Sequence, residues 1–242
     1  MIPWIESHMI GPFQTWGLFV AAGYALGTYI AYRRAIQKKQ DPQKVLDLAF
    51  WMFIGAFLGA RIFHVLFYDF DHYLQFPLDA IDPRKPGFSM FGGLLGGAAV
   101  FTWIVKRHAL DWISYADTIM WGVPWGCGVG RIGCFLIHDH PGTLTNFILG
   151  VKYPDGETRH DHGLYLSLIG FATGLWFLWL NRKQRHPGFW LGAYMIVEGF
   201  SRFGLDFLRS VDATYFGLTP TQYLAMPMLA IGIWLVMKVK KS

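Results

Sequence analysis

The stretch GLYLSLIGFATGLWFLWL, residues 163–180, contains no charged residue. A helix needs roughly 20 mostly apolar residues to cross the hydrocarbon core of a bilayer, and this stretch comes close to that length. A soluble protein rarely tolerates such a segment, because one face of a surface helix normally carries charges. The stretch therefore predicts a membrane-spanning helix.

The composition of the whole chain agrees with a membrane protein. Of 242 residues, 53% are hydrophobic, 18% are aromatic and only 15% are charged, with a mean hydropathy of +0.31. A soluble domain usually carries about 25% charged residues. This excludes a disordered protein, a nucleic-acid-binding module and an ordinary cytosolic enzyme. Two cysteines, Cys127 and Cys134, also exclude a disulfide framework.

Six further stretches approach the length of a membrane span. We predict an all-α integral membrane protein, with about seven transmembrane helices in a single polytopic domain over residues 1–242. The opening residues 1–11 carry Glu6 and no Lys or Arg, which predicts a permanent first span and no cleaved signal peptide. The predicted spans are about 16–32, 48–68, 88–105, 116–137, 163–180, 188–208 and 219–237.

The loops differ strongly in basic residues, which sets the predicted orientation, since Lys and Arg accumulate in cytoplasmic loops. One side carries Arg33, Arg34, Lys38, Lys39, Lys44, Lys106, Arg107, Arg182, Lys183, Arg185, Lys238, Lys240 and Lys241. The other carries only Arg84, Lys85, Lys152, Arg159 and Arg209. The N-terminus is therefore predicted outside and the C-terminus in the cytoplasm. The net charge of +5 follows from this bias, so we predict no nucleic-acid partner.

Three arginines remain, and Arg61, Arg131 and Arg202 all fall inside predicted spans. A charge there costs about 2.5–3.5 kcal/mol on insertion scales, so such residues usually face a cavity or a partner. Structural ion pairing and snorkelling to the interface are the competing interpretations. Three arginines together favour a shared binding site.

The sixth stretch strengthens the prediction of an anion site. Glu198, Arg202, Asp206 and Arg209 are spaced by 4, 4 and 3 residues and share one helix face. The acids can orient the guanidinium groups, whose planar fork suits a phosphate. A phospholipid head group is the natural anionic ligand inside a membrane, and an ion-pair network between helices is the alternative.

Glycines recur at helical spacing in two places. Gly122, Gly126 and Gly130 form one series, and residues 91–97, FGGLLGG, form a second cluster. Small residues spaced in this way let transmembrane helices approach closely. We therefore predict helix packing at both places, with room for a head group beside Arg131.

A polar loop over about 138–162 begins with His138-Asp139-His140 and ends with Arg159-His160-Asp161-His162. A histidine beside a carboxylate can act as a general base near neutral pH. Imidazole and carboxylate also suit zinc, but His-x-His in a loop is not a usual zinc spacing. We predict no metal and no cofactor. A helix cap within a solvated loop is the competing interpretation.

Several segments in this order resemble the bacterial prolipoprotein diacylglyceryl transferases. Residues 130–142, GRIGCFLIHDHPG, are similar to the family's Gly-Arg-Ile-Gly-x-Phe signature, which is followed by a carboxylate and a glycine. The resemblance extends over nearly the whole chain. The other similar segments are 59–68, GARIFHVLFY; 89–94, SMFGGL; 159–165, RHDHGLY; and 202–212, RFGLDFLRSVD.

The resemblance implies a reaction and residue roles. The family moves diacylglyceryl from phosphatidylglycerol to the cysteine thiol of a lipobox peptide, at the outer side of the bacterial plasma membrane. The resemblance implies that Arg131 and Arg202 bind the phosphate of phosphatidylglycerol, and that Arg209 corresponds to the family's second arginine in the sixth span. Asp139 and Asp206 stand where the family has glutamates, and Gly142 matches its closing glycine. The predicted substrate-binding set consists of Arg131, Arg202, Arg61, Arg209, Asp206 and Gly142, whereas Asp139 is predicted to be catalytic.

The chain departs from the family pattern at three polar positions. Phe91 replaces a histidine, Cys134 replaces the signature asparagine, and Trp16 replaces a tyrosine. Because Phe91 cannot accept a proton, we predict that His138, Asp139 or His140 assists the thiol. Two alternatives stay open: a member that binds an anionic phospholipid without transferring it, and a related transferase with another acceptor.

Overall fold

The computed structural model describes residues 1–82, 85, 87–210 and 216–238. Within them lie eight α-helices: α1 (Thr15–Gln37), α2 (Pro42–Phe67), α3 (Phe70–Gln75), α4 (Met90–Arg107), α5 (Trp112–Ile137), α6 (His162–Leu180), α7 (Phe189–Leu205) and α8 (Pro220–Met237). The five short strands are β1 (Met9–Ile10), β2 (Phe13–Gln14), β3 (Pro141–Leu144), β4 (Val151–Lys152) and β5 (Thr158–Asp161). Arg84, Asp212, Lys240 and Lys241, used in the sequence argument, lie outside the described residues.

The predicted helical class is confirmed, since the described residues are mostly helical and each of the seven apolar stretches coincides with a helix. By length and composition, three helices of the described part are long and apolar enough to cross a membrane: α2, α6 and α8. The sixth stretch ends earlier than predicted, because α7 stops at Leu205 and a 3-10 helix follows over Asp206–Leu208. The number of seven spans stays a prediction.

The helix ends follow ordinary capping chemistry. The side chains of Asp41, Ser89 and Asp161 accept hydrogen bonds from the first turns of α2, α4 and α6. Thr219 and Gln222 form a reciprocal capping box at the start of α8. Each cap satisfies backbone N–H groups that have no partner within the helix. These polar residues therefore mark where the apolar helices begin.

The chain forms two compact units, Ala35–Tyr115 and a second one made of Met1–Arg34 with Ala116–Ser242. In the unit Ala35–Tyr115, helices α2 and α4 cross through glycines. A Cβ atom built on Gly59 would lie 2.9 Å from the Cα atom of Gly96, closer than real side chains allow. The packing predicted for the cluster 91–97 is thus confirmed.

The other unit contains an equivalent crossing between α1 and α5. A Cβ atom on Gly126 would lie 2.7 Å from the carbonyl oxygen of Gly23, and one on Gly27 would lie 3.1 Å from that of Gly122. The glycine series on α5 therefore packs against α1, as its spacing predicts. This crossing fixes the helix that carries Arg131.

The same unit holds an aromatic cluster that positions α7. Trp121, Phe177 and Trp190 pack together in its buried core. The carboxylate of Asp117 accepts hydrogen bonds from the backbone N–H groups of Gly188 and Leu191, at 2.7 and 2.8 Å. A carboxylate at a helix N-terminus also stabilises the helix dipole. The start of α7 is therefore tied to α5.

The polar segment between α5 and α6, which the sequence predicts as a loop, folds into a small antiparallel sheet with strand order β3-β5-β4. Its strands have two to four residues, too short for an alternating pattern to be visible in the sequence. Ile2 pairs with Val151, and Gly142 pairs with Arg209. The sheet is thereby joined to the N-terminal segment and to the end of α7.

Candidate active site

Arg131 lies on α5 and is half-buried. Its Nη1 atom lies 3.5 Å from the Sγ atom of Cys134, which is a weak acceptor. Among the described residues, no carboxylate lies within 4.0 Å of this guanidinium group. Most of its donor capacity is therefore left for a ligand.

Arg202 on α7 is oriented by a neighbouring carboxylate. Its Nε atom donates to Oε1 of Glu198 over 2.7 Å, which confirms the ion pair predicted one helical turn apart. The described residues provide no partner for its two terminal nitrogens. Since Glu198 holds the Nε edge, the Nη1 and Nη2 atoms are left to bind two oxygens of one phosphate.

The thiol of Cys127 connects the two helices that carry these arginines. This thiol is exposed, and its Sγ atom lies 3.5 Å from the hydroxyl of Tyr194 on α7. Cys127 precedes Arg131 by one turn of α5, and Tyr194 precedes Arg202 by two turns of α7. The contact therefore joins α5 and α7 within two turns of both predicted phosphate ligands.

Three further predicted residues build the frame beside this face. Asp206 is buried, accepts a hydrogen bond from Thr219 and lies 3.8 Å from Nη1 of Arg209. Gly142 pairs with Arg209, and a Cβ atom there would lie 2.6 Å from the carbonyl oxygen of Leu208. Only glycine permits this approach. Arg209 is therefore held by backbone pairing with Gly142 and by the carboxylate of Asp206.

His138 is buried within a network of its own. Its Nδ1 atom lies 2.7 Å from Oδ2 of Asp161, and its Nε2 atom lies 3.0 Å from the carbonyl oxygen of Ile5. The ring stacks on Trp4 with centroids 3.8 Å apart. The backbone of His138 is left-handed, with φ +48°. The side chain therefore fastens the N-terminal segment and fixes a strained turn that precedes Asp139.

Asp139 and His140 form a separate, more accessible pair. Oδ1 of Asp139 lies 2.5 Å from Nδ1 of His140, although that nitrogen has no partner in hydrogen-bonding geometry. About a third of each side chain is exposed. The three residues predicted together are thus divided: His138 is engaged at both nitrogens, whereas the pair that follows it is open to a substrate.

Arg61 has a different role from the other two membrane arginines. It is 8% exposed in the unit Ala35–Tyr115, and all five of its N–H groups meet backbone carbonyl oxygens. The predicted contact with phosphate therefore has no donor to support it. The accepting carbonyls belong to Asp79, Ala80, Asp82, Lys85 and Gly87, at 2.5 to 3.4 Å.

Two residues of this region, Asp161 and Tyr194, were not among the predicted site residues. Asp161 binds His138 and also caps α6 through the N–H group of Leu164, at 2.9 Å. Its position between two histidines was a usable signal. Tyr194 lies one helical turn before Glu198, so it continues the face that carries Arg202.

Burial in and beside the sheet β3-β5-β4 shifts the pKa values of a histidine and a tyrosine. Burial lowers the pKa of His160 below its ordinary value, and the neighbouring His162 adds to this effect. Burial also raises the pKa of Tyr153, and the charge of Asp161 raises it further. Tyr153 therefore stays protonated and donates to Oδ2 of Asp161 over 3.2 Å. Its hydrogen bond strengthens the network around His138.

These features define a class, a helical membrane protein with guanidinium groups available for an anion and a small polar sheet between α5 and α6. The family model described as prolipoprotein diacylglyceryl transferase matches residues 7–238, and the chain belongs to this family. Its relatives include phosphatidylglycerol–prolipoprotein diacylglyceryl transferases of several bacteria. That of Idiomarina loihiensis is 32% identical, with 97% of this chain and 92% of the relative covered. That of Pseudomonas aeruginosa is 34% identical, with 94% and 90% covered.

Proposed function

We propose that this protein transfers the diacylglyceryl group of phosphatidylglycerol to the cysteine thiol of a prolipoprotein lipobox. The observation that carries the proposal is that Arg131 and Arg202 keep donors without a partner among the described residues, on two helices that meet at Cys127 and Tyr194. Two guanidinium groups at one place in an apolar protein suit the phosphodiester of a membrane lipid. The names of the relatives support the same donor and acceptor.

The chemistry assigned to the site is a displacement at carbon. The thiol loses its proton, its sulfur forms a C–S bond to the glycerol carbon, and the C–O bond to the phosphate breaks. Glycerol phosphate leaves with the electron pair of that bond. Arg131 and Arg202 stabilise the negative charge that develops on the leaving group. One well-placed donor of this kind contributes about 3–4 kcal/mol in the transition state.

The pair Asp139–His140 is the proposed proton acceptor for the thiol. It is about one third exposed, follows the end of α5 directly after His138, and combines an imidazole with a carboxylate at 2.5 Å. His138 is assigned a positioning role, because both of its nitrogens are already bound. Asp206, Arg209 and Gly142 complete the frame on the other side.

The proposed setting is the bacterial plasma membrane. The seven helices that coincide with apolar stretches would form one polytopic domain with the N-terminus outside. The distribution of Lys and Arg among the loops supports this orientation. The phosphate site would then face the outer leaflet, where a lipobox peptide arrives after export.

A transfer assay tests the proposal. Membranes containing the protein receive phosphatidylglycerol and a lipobox peptide, and mass spectrometry detects the diacylglyceryl thioether. The expected result is thioether from wild type and almost none from Arg131→Ala. The matched control is Arg33→Ala, since Arg33 is an exposed arginine that bonds only to Tyr29 among the described residues.

Because Phe91, Cys134 and Trp16 depart from the family pattern, a negative result in the assay is also informative. Lipid binding without thioether would make the chain a non-transferring member of the family. Release of glycerol phosphate without modified peptide would indicate another acceptor. Equal loss in Arg131→Ala and Arg33→Ala would contradict the arginine site itself.

A further inference from the structure

A polar pair with no role in the proposed reaction lies beside the phosphate site. The hydroxyl of Tyr194 and the thiol of Cys127 are 3.5 Å apart, on α7 and α5. Cys127 is exposed and Tyr194 is half-buried, on helices composed mostly of apolar residues. A polar group in hydrocarbon is costly unless it has a partner. The thiol and the hydroxyl bring two donors to one mutual hydrogen bond, so one donor is left without an acceptor among the described residues.

The position of the pair along the helices indicates which part of a lipid it meets. Cys127 precedes Arg131 by one turn, about 6 Å, and Tyr194 precedes Arg202 by two turns, about 12 Å. Both helices end at the sheet β3-β5-β4 or its pairing with Arg209. The pair thus lies on the far side of the arginines from the sheet. A phospholipid whose phosphate is held by these arginines has its acyl groups on that far side.

The hydrogen-bonding capacity of the pair fits an ester carbonyl. A tyrosine hydroxyl donates one hydrogen bond and can accept another, and a thiol is a weak donor. When the thiol donates to the oxygen of Tyr194, the phenolic proton is free for an acceptor. The ester carbonyls of a diacyl lipid are the acceptors that follow its phosphate within a few bonds.

We infer that Tyr194, supported by Cys127, binds an ester carbonyl of the donor lipid and makes the site selective for diacyl over dialkyl glycerol. The inference rests on the proposed function, because it places the phosphate at Arg131 and Arg202. Tyr194 is a specificity residue and takes no part in bond breaking. A dialkyl phosphatidylglycerol carries the same phosphate and the same leaving group but has no carbonyl.

The test compares diester and diether phosphatidylglycerol of matched chain length, with wild type, Tyr194→Phe and the control Tyr29→Phe. Tyr29 is an exposed tyrosine bonded to Arg33, outside the site. Wild type and the control should prefer the diester by about threefold to tenfold in KM, the range of one hydrogen bond. In Tyr194→Phe, the KM for the diester should rise to that of the diether while kcat stays unchanged.

Two outcomes would overturn the inference. One is a wild-type protein that does not distinguish the two lipids. The other is a Tyr194→Phe variant that loses both lipids equally, which a structural role would produce. If wild type makes no thioether, the proposed function fails on its own, and the same comparison is made by native mass spectrometry of bound lipid. An equal affinity for diester and diether there would again overturn the inference.

Discussion

Arg61 and Arg202 are both arginines in apolar helices, yet their surroundings differ completely. Five backbone carbonyls occupy the donors of Arg61, whereas Glu198 occupies only the Nε atom of Arg202. Each arrangement meets the cost of a charge in an apolar protein, the first with neutral dipoles and the second with one carboxylate. A membrane arginine therefore indicates a ligand only when some of its donors have no partner in the fold.

The largest expected effect concerns catalysis. Arg202→Ala should lower kcat/KM for transfer by about a hundredfold to a thousandfold, because it removes a donor from the developing charge. The midpoint of thermal unfolding in detergent should also fall, because Glu198 loses its partner, so kcat/KM is measured on the folded fraction. Arg202→Lys should recover only part of the activity, since an ammonium group lacks the planar fork. Full activity in Arg202→Ala would show that this arginine is structural, like Arg61.

The second prediction concerns Arg61, where we expect a loss of stability and an unchanged kcat. Arg61→Ala leaves five carbonyl oxygens without their shared donor, which should lower the free energy of unfolding by about 3 kcal/mol. The midpoint of thermal unfolding in detergent measures it. The kcat of the fraction that remains folded should stay near the wild-type value. A specific rise in KM for the lipid, at unchanged stability, would instead return Arg61 to the binding site.

A third prediction tests the close crossing of α1 and α5, which positions the helix that carries Arg131. Gly126→Ala should lower the free energy of unfolding by about 1–3 kcal/mol, because its Cβ atom meets the backbone of Gly23 at 2.7 Å. The matched control is Gly204→Ala, on α7, where a Cβ atom meets nothing within 4 Å. Comparable losses in both variants would remove the argument for a close crossing of α1 and α5.

The smallest expected effect is the pH dependence of the stability of the sheet β3-β5-β4. The pKa of His160 is lowered in the folded protein, so the unfolded chain binds more protons in the window below about 6.5. The free energy of unfolding should therefore fall as the pH drops through that window. His160→Gln should flatten this slope, as followed by hydrogen exchange of β5 between pH 7.5 and 5.5. An unchanged slope would place the titrating group elsewhere.

The sequence predicted most of the fold from simple periodicity and composition. Each apolar stretch is a helix, the glycine series is a helix crossing, and Glu198 pairs with Arg202 across one turn. These features depend on residues close together in the sequence, so spacing alone is sufficient to find them. The family was predicted separately, from the resemblance of several segments to the family's motifs, and the family model confirms it.

Contacts between distant segments had to come from the tertiary structure. His138 is bound by Asp161 and by Ile5, which lies 133 residues away, and the donors of Arg61 are filled by a loop beyond α2. Neither partner is marked by any local pattern, because a backbone carbonyl accepts a hydrogen bond whatever its side chain is. The sequence therefore determined which residues are charged inside an apolar protein, and the fold decided which of those charges are already satisfied.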